Sequence, residues 1–286
     1  MSDDQPTQRR LYYSARKHGL EPLPLDDIKE LFLSEYRYLA REGYFQEALG
    51  YECVDAGVVP GTIPDPGIHF FRQLRKRHLW PVENIKLPGP SEEDFFDVIE
   101  LLHDLVSKGV EGRNHDYGEC GWHYQTFDKD AGQQEYRKRL NGFLCEYGNG
   151  WELSPDGCVL ESAPEGLEDL FADEPPFLQV KNVGDKIKNA ITRFRRHGAN
   201  VEDKKVAVRD LIDAFEHHRS QAEQLLTEKD AADLFHIANR FGIRHNKPDQ
   251  QTDYDHDVFF EWLFYYYLAA LRALELLIAK SSLQSP

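Results

Sequence analysis

Ala238-Asn239-Arg240-Phe241-Gly242-Ile243-Arg244-His245-Asn246-Lys247-Pro248 is the stretch from which the organisation of this chain unfolds. Upstream of it, Glu228 to Asn239 sets Leu234, Phe235, Ile237 and Ala238 on or near one stripe, with Asp230 and Asp233 in the early turns, which predicts an amphipathic helix. Gly242 suits the left-handed conformation in which helices commonly stop, and Pro248 bars helical continuation. His245 is therefore expected in a short, constrained connection. Beyond it, Asp253, Asp255 and Asp257 are candidate caps for a final helix, Val258 to Lys280, dense in aromatic residues from Phe259 to Tyr267.

That last segment raises the question of a membrane, because Trp262 to Leu271 carries no charge. Glu261, Arg272 and Glu275 interrupt the run well short of the roughly twenty apolar residues a spanning helix needs, so no membrane span is expected. A helix apolar on nearly all sides needs two contact surfaces, one for its own bundle and one for a partner subunit.

Two further helices precede these, about Val180 to His197 and about Val201 to Leu226, making four and predicting an antiparallel bundle from residue 177 to 286. Residues 163 to 176, rich in Glu, Asp and Pro and ending in Pro175-Pro176, read as a linker. The 286 residues carry 34 basic and 50 acidic side chains. From Phe177 to Pro286 there are sixteen of each, so the acidic excess lies entirely in the first half. A strongly acidic first half repels nucleic acid, and RNA contacts are expected only on local basic features of the second.

The first half, residues 1 to 162, reads as an acidic α+β domain. Helices are expected at about Asp26–Leu49, Asp65–Leu79, Ser91–Lys108 and Asp130–Tyr147, with Ser91 and Asp94 as a capping-box variant. A polar turn region after Gly109 leads to a short extended piece at Trp122–Phe127. Pro155-Asp156-Gly157 between two short apolar runs signals a hairpin. Arg137-Lys138-Arg139 before that hairpin invites a winged-helix interpretation, but an exposed helical turn beside a small sheet fits the acidic surroundings better. Mainly α is thus the expected fold class.

Cys53, Cys120, Cys145 and Cys158 form no CxxC pair and read as free thiols. His115-Asp-Tyr-Gly-Glu-Cys120-Gly-Trp-His123 has metal-ligand residue types, but its spacing matches no standard zinc pattern and a fourth ligand would have to come from afar. It is therefore read as an ordinary loop, with no metal and no cofactor expected. The N-terminus begins acidic and lacks an apolar stretch, so the cytoplasm is the expected compartment.

Arg240, followed by four residues and His245, sets a permanent cation beside a side chain that titrates near neutrality. This pair resembles the Arg-x(4 to 6)-His motif of the HEPN superfamily, many of whose members are RNases. The resemblance implies a four-helix bundle with the motif at the junction of the third and fourth helices. It further implies a homodimer in which two Arg-His pairs share one cleft, and metal-independent RNA cleavage. In that chemistry a 2'-hydroxyl attacks the adjacent phosphorus, His245 moves the proton, and Arg240 offsets charge on the phosphoryl oxygens, leaving 2',3'-cyclic phosphate and 5'-hydroxyl ends. Phe241 stands where active members commonly carry a polar residue, leaving Asn239 and Asn246 as the nearby polar groups. Arg244 is then a second candidate for the phosphate-binding cation, with Arg240 a helix-end charge. Lys186, Lys188, Arg193, Arg195 and Arg196, together with Lys181, make a basic helix that is either a track for the RNA backbone or a solvated face. His217 and His218 are either cleft residues or exposed ones.

Trp122-His-Tyr-Gln-Thr-Phe-Asp128, Ala131-Gly132-Gln133 and the run from Tyr147 to Gly157 are similar to the N-terminal domain of proteins related to abortive infection protein J, over about Tyr12 to Ser162. That resemblance implies antiphage defence, with a phage trigger or an antitoxin as further partners. Two other functions stay open on the sequence: a noncatalytic RNA- or nucleotide-binding dimer, and a metal-binding or DNA-reading regulator.

Overall fold

The computed structural model describes residues 10–164, 166–167, 170–171, 181–241, 243 and 253–283, with the backbone alone for 119, 181–182, 228, 238–240 and 282–283. The chain divides into two compact units, Met1–Ser162 and Ala163–Pro286. It is mainly helical, and among the described residues the strands form three two-stranded antiparallel sheets.

In the first unit the elements run α1 (Tyr13–His18), α2 (Leu25–Arg41), α3 (Gln46–Leu49), β1 (Tyr51–Cys53), β2 (Gly57–Val59), α4 (Pro66–Leu74) and α5 (Glu92–Leu105). They continue as β3 (Lys108–His115), β4 (Gly121–Asp128), α6 (Lys129–Leu144), β5 (Trp151–Leu153) and β6 (Val159–Glu161). The helix expected over 26–49 is broken into α2 and α3 because Gly43 adopts φ +84°, a conformation that bends the chain and seats it against the Tyr124 ring. The helix expected over 65–79 stops at Leu74, where Arg75 turns left-handed at φ 60°. At Ser91 the capping box forms in both directions, with Asp94 N–H donating to the Ser91 hydroxyl at 3.1 Å and Ser91 N–H to the Asp94 carboxylate at 2.9 Å.

The core of this unit joins α2, α5 and α6 through Ile28, Phe32, Phe95, Ile99, Tyr136 and Leu140, all fully buried. Phe32 meets Phe95 edge to face at 5.3 Å, and the buried Tyr136 hydroxyl donates to the Ile99 carbonyl at 3.2 Å, so its polar end is satisfied. The sequence reading missed β3, whose eight residues pair with β4 through a register shift around Glu111. The expected hairpin at Pro155-Asp156-Gly157 is present as β5 and β6, with Gly157 at φ +81°. The Arg137–Arg139 turn is committed within the unit: Arg139 pairs with Glu35 and Glu135, and Arg137 Nε donates to the Leu153 carbonyl.

The second unit holds α7 (Lys181–Arg195), α8 (Val201–His217), α9 (Arg219–Leu225), α10 (Glu228–Arg240) and α11 (His256–Leu283). The single helix expected over 201–226 is two, interrupted at His218. Leu170 and Phe171 pack on this unit's core, so the linker expected over 163–176 contributes to the fold at its centre. Val183, Ile187, Ala190 and Phe194 form the inward stripe of α7, and the Phe194 ring stacks on Phe264 of α11 at 3.9 Å. Phe260, Leu263, Phe264, Tyr267, Leu268, Leu271 and Leu274 make the matching stripe of α11. The buried Tyr267 hydroxyl donates to the Leu234 carbonyl at 2.8 Å and ties α11 to α10.

Helix α11 is long and apolar enough, by length and composition alone, to cross a membrane, which the interrupting charges had argued against. Within the unit its inward stripe is core, while Val258, Trp262 and Leu276 on other faces are exposed.

Candidate functional site

Helix α10 is capped by Thr227, whose hydroxyl accepts from Asp230 N–H at 3.2 Å, and ends at Arg240. The two residues that follow in the described chain, Phe241 and Ile243, are buried in the core of the second unit. Phe241 packs against the rings of Tyr254, Phe259 and Trp262, with centroids 5.3, 5.4 and 6.1 Å away. Its carbonyl accepts a 2.8 Å hydrogen bond from the Tyr254 hydroxyl. The aromatic side chain that follows Arg240 is thus a core residue, and burying it contributes about 1.5–3 kcal/mol. Helix α11 is capped by Asp255, which accepts from Val258 N–H at 3.2 Å, rather than by Asp253 or Asp257. Arg244, His245 and Asn246 lie outside the described residues, as do the side chains of Asn239 and Arg240.

Next to Phe241, the outward side of α11 is aromatic. Trp262 and Tyr266 stack at 5.5 Å, and with Val258, Glu261 and Tyr265 they line a shallow concavity of about 420 Å³. An exposed aromatic concavity of this kind suits a protein partner or a stacked base.

The basic residues of α7 are not one exposed track. Lys186 is exposed, and Lys188 and Arg193 are half-buried. Arg195 is buried, 3% exposed, with its guanidinium 4.3 Å above the Phe171 ring. Arg196 is exposed but pairs with Asp203 at 2.8 Å. Arg195 falls where it does because it follows Phe194 on the inward side, so it is a packing cation and not a phosphate contact. The side chain of Lys181 lies outside the described residues. His217 is exposed, whereas His218 is buried and its pKa is lowered, first by burial and then by His217.

In the first unit the segment read as an ordinary loop has a different character. The β3–β4 hairpin holds His115 at the end of β3, Cys120 in the turn and His123 on β4, and the neighbouring β1–β2 hairpin brings Cys53 to them. The donor atoms of all four side chains lie within 4.8 Å of one another. Cys53 Sγ is 3.6 Å from His115 Nδ1, and the other nitrogen of that ring, Nε2, is 3.2 Å from the Asp55 carboxylate. Cys120 Sγ accepts from Val54 N–H at 3.4 Å. His123 stacks on Tyr51 at 4.3 Å, and its Nε2 is buried without a hydrogen-bond partner among the described residues. Burial lowers the His123 pKa, with His115 and Arg113 adding to the effect.

Two local features bring the hairpins together. Gln46, on the helix just before β1, pairs with the β4 backbone on both sides, donating to the Trp122 carbonyl at 2.7 Å and accepting from Tyr124 N–H at 3.1 Å. Gly118, at φ +65° in the β3–β4 turn, approaches Val54 so closely that a Cβ there would lie 2.7 Å from its side chain. The sequence reading had three of the four residues and lacked Cys53, which stands 62 positions before His115.

Comparison with known protein families, curated proteins and solved structures finds no significant match to this chain.

Proposed function

We propose that the second unit is a HEPN-type endoribonuclease of an antiphage or toxin system, acting as a homodimer and cutting RNA without a metal ion. His245 moves the proton between the 2'-hydroxyl and the leaving oxygen, Arg240 or Arg244 offsets phosphoryl charge, and Asn246 supplies a polar contact. What supports the reading is the anchoring of the motif. Arg240 is the last residue of α10, and Phe241 and Ile243, which lie between Arg240 and His245 in the sequence, are buried in the core of the unit. Proximity catalysis needs such a rigid origin, because effective molarity falls when reacting groups wander. The aromatic side of α11, one ring away at Trp262, offers the surface a second copy requires.

The buried Phe241 also favours a second reading, a noncatalytic RNA-binding dimer, since the residue that follows Arg240 in the sequence is a packed aromatic one and not a polar one. Incubating the purified full-length protein with RNA in excess chelator separates the two. The ribonuclease predicts cleavage by the wild type and its loss in His245→Ala; the binding protein predicts retained RNA and no cleavage in either.

A further inference from the structure

We propose that Cys53, His115, Cys120 and His123 bind a zinc ion that joins the two hairpins of the first unit. Two thiolates and two imidazoles are the donor set of a closed, four-coordinate structural zinc site, and two thiolate charges neutralise the ion. Zinc bonds of about 2.3 Å to sulfur and about 2.0–2.1 Å to nitrogen, at tetrahedral angles, set the two donors about 3.6 Å apart. Cys53 Sγ and His115 Nδ1 stand at 3.6 Å.

The surroundings follow the logic of metal sites. A ligating histidine usually gives its other N–H to a carboxylate, which fixes the tautomer and raises ligand basicity, and His115 Nε2 meets Asp55 at 3.2 Å while Nδ1 faces the sulfur. The Val54 amide donates to Cys120 Sγ, a bond that a thiolate accepts more strongly than a thiol. His123 Nε2 is the independent sign: a buried ring nitrogen without a partner costs free energy unless something in the cluster accepts its lone pair, and a cation does so. No donor position is left for water or substrate, so the ion is structural and not catalytic.

The fold supplies a reason for the ion. β1 with β2 and β3 with β4 are separate two-stranded sheets, each marginal in isolation, and β3 is largely exposed. One ion bonded to β1, to both strands of the second hairpin and to its turn makes the two sheets a single cross-linked object.

The test is metal analysis of the full-length protein purified without chelator, with zinc counted by mass spectrometry. The expected result is close to one zinc per chain, retained in Cys145→Ser/Cys158→Ser and reduced to background in Cys53→Ser/Cys120→Ser. Should the latter variant not fold, cobalt loading of the wild type decides: a tetrahedral site with two thiolates gives intense visible bands and a sulfur-to-cobalt charge-transfer band. Cys53 and Cys120 should also resist alkylation until zinc is withdrawn. A wild type that takes up neither metal, zinc undiminished in Cys53→Ser/Cys120→Ser, or a Cys53–Cys120 disulfide in the purified protein would overturn the site.

Discussion

The Tyr254 hydroxyl donates to the carbonyl of Phe241 across 2.8 Å, so a residue two positions before α11 holds the residue just after α10. Arg244, His245 and Asn246 lie between these two residues in the sequence. Packing explains why a ring occupies position 241: Phe241 is only 9% exposed and touches three other aromatic side chains.

Removing that bond in Tyr254→Phe is expected to destabilise the second unit by about 1 kcal/mol. Placing a polar residue there, Phe241→Asn, is expected to cost about 3–5 kcal/mol, because it empties a packed aromatic site and buries an amide. Urea unfolding of both variants measures the two costs. A Phe241→Asn protein as stable as the wild type contradicts the packing role.

The exposed aromatics of α11 bear on dimerisation. If α11 carries the interface of the homodimer proposed above, Trp262→Arg weakens association by about 2 kcal/mol, roughly 30-fold in Kd, with unchanged helicity. Sedimentation velocity over a concentration series reads this directly. An undisturbed dimer places the interface elsewhere.

His103, on α5, is 2% exposed, neither ring nitrogen has a hydrogen-bond partner among the described residues, and burial lowers its pKa. A histidine buried in its neutral form supports the fold fully above its ordinary pKa of about 6.5. That support is lost as pH falls below this value, since the unfolded chain then binds the extra proton. His103→Gln is expected to unfold with a weaker pH dependence than the wild type between about pH 6.5 and 5. Identical slopes would show that His103 is not buried neutral.

At Ser91 the prediction concerns a helix start. Ser91→Ala removes the oxygen that accepts from Asp94 N–H and should cost about 1 kcal/mol. Asp94 does more: burial raises its pKa, but Lys76, the Ser91 amide and His78 together bring it down to about 2. Its contribution is therefore present above about pH 4 and disappears as pH falls toward 2. Acid titration of wild type and Asp94→Asn, followed by circular dichroism, should converge below that range.

Features governed by near neighbours were legible in the sequence: the Ser91–Asp94 box, the Pro155-Asp156-Gly157 turn, and the stripe of α10 that ends at Arg240. Features set by distant contacts were not. β3 reads Lys-Gly-Val-Glu-Gly-Arg-Asn-His, with two glycines and no apolar alternation, and is a strand only because β4 pairs with it. Arg195 looked like part of a basic face until Phe171, in a segment that read as linker, supplied a ring for it. Cys53 has no sequence relation to His115, Cys120 and His123; Gln46 and Gly118 bring the hairpins together, and neither residue advertises that role.

The most direct measurement is the chemistry of the RNA ends. RNA incubated with the wild type in excess chelator should acquire 2',3'-cyclic phosphate and 5'-hydroxyl termini, and His245→Ala should produce none above background. Termini bearing a 5'-phosphate, or cleavage undiminished in His245→Ala, would contradict the account.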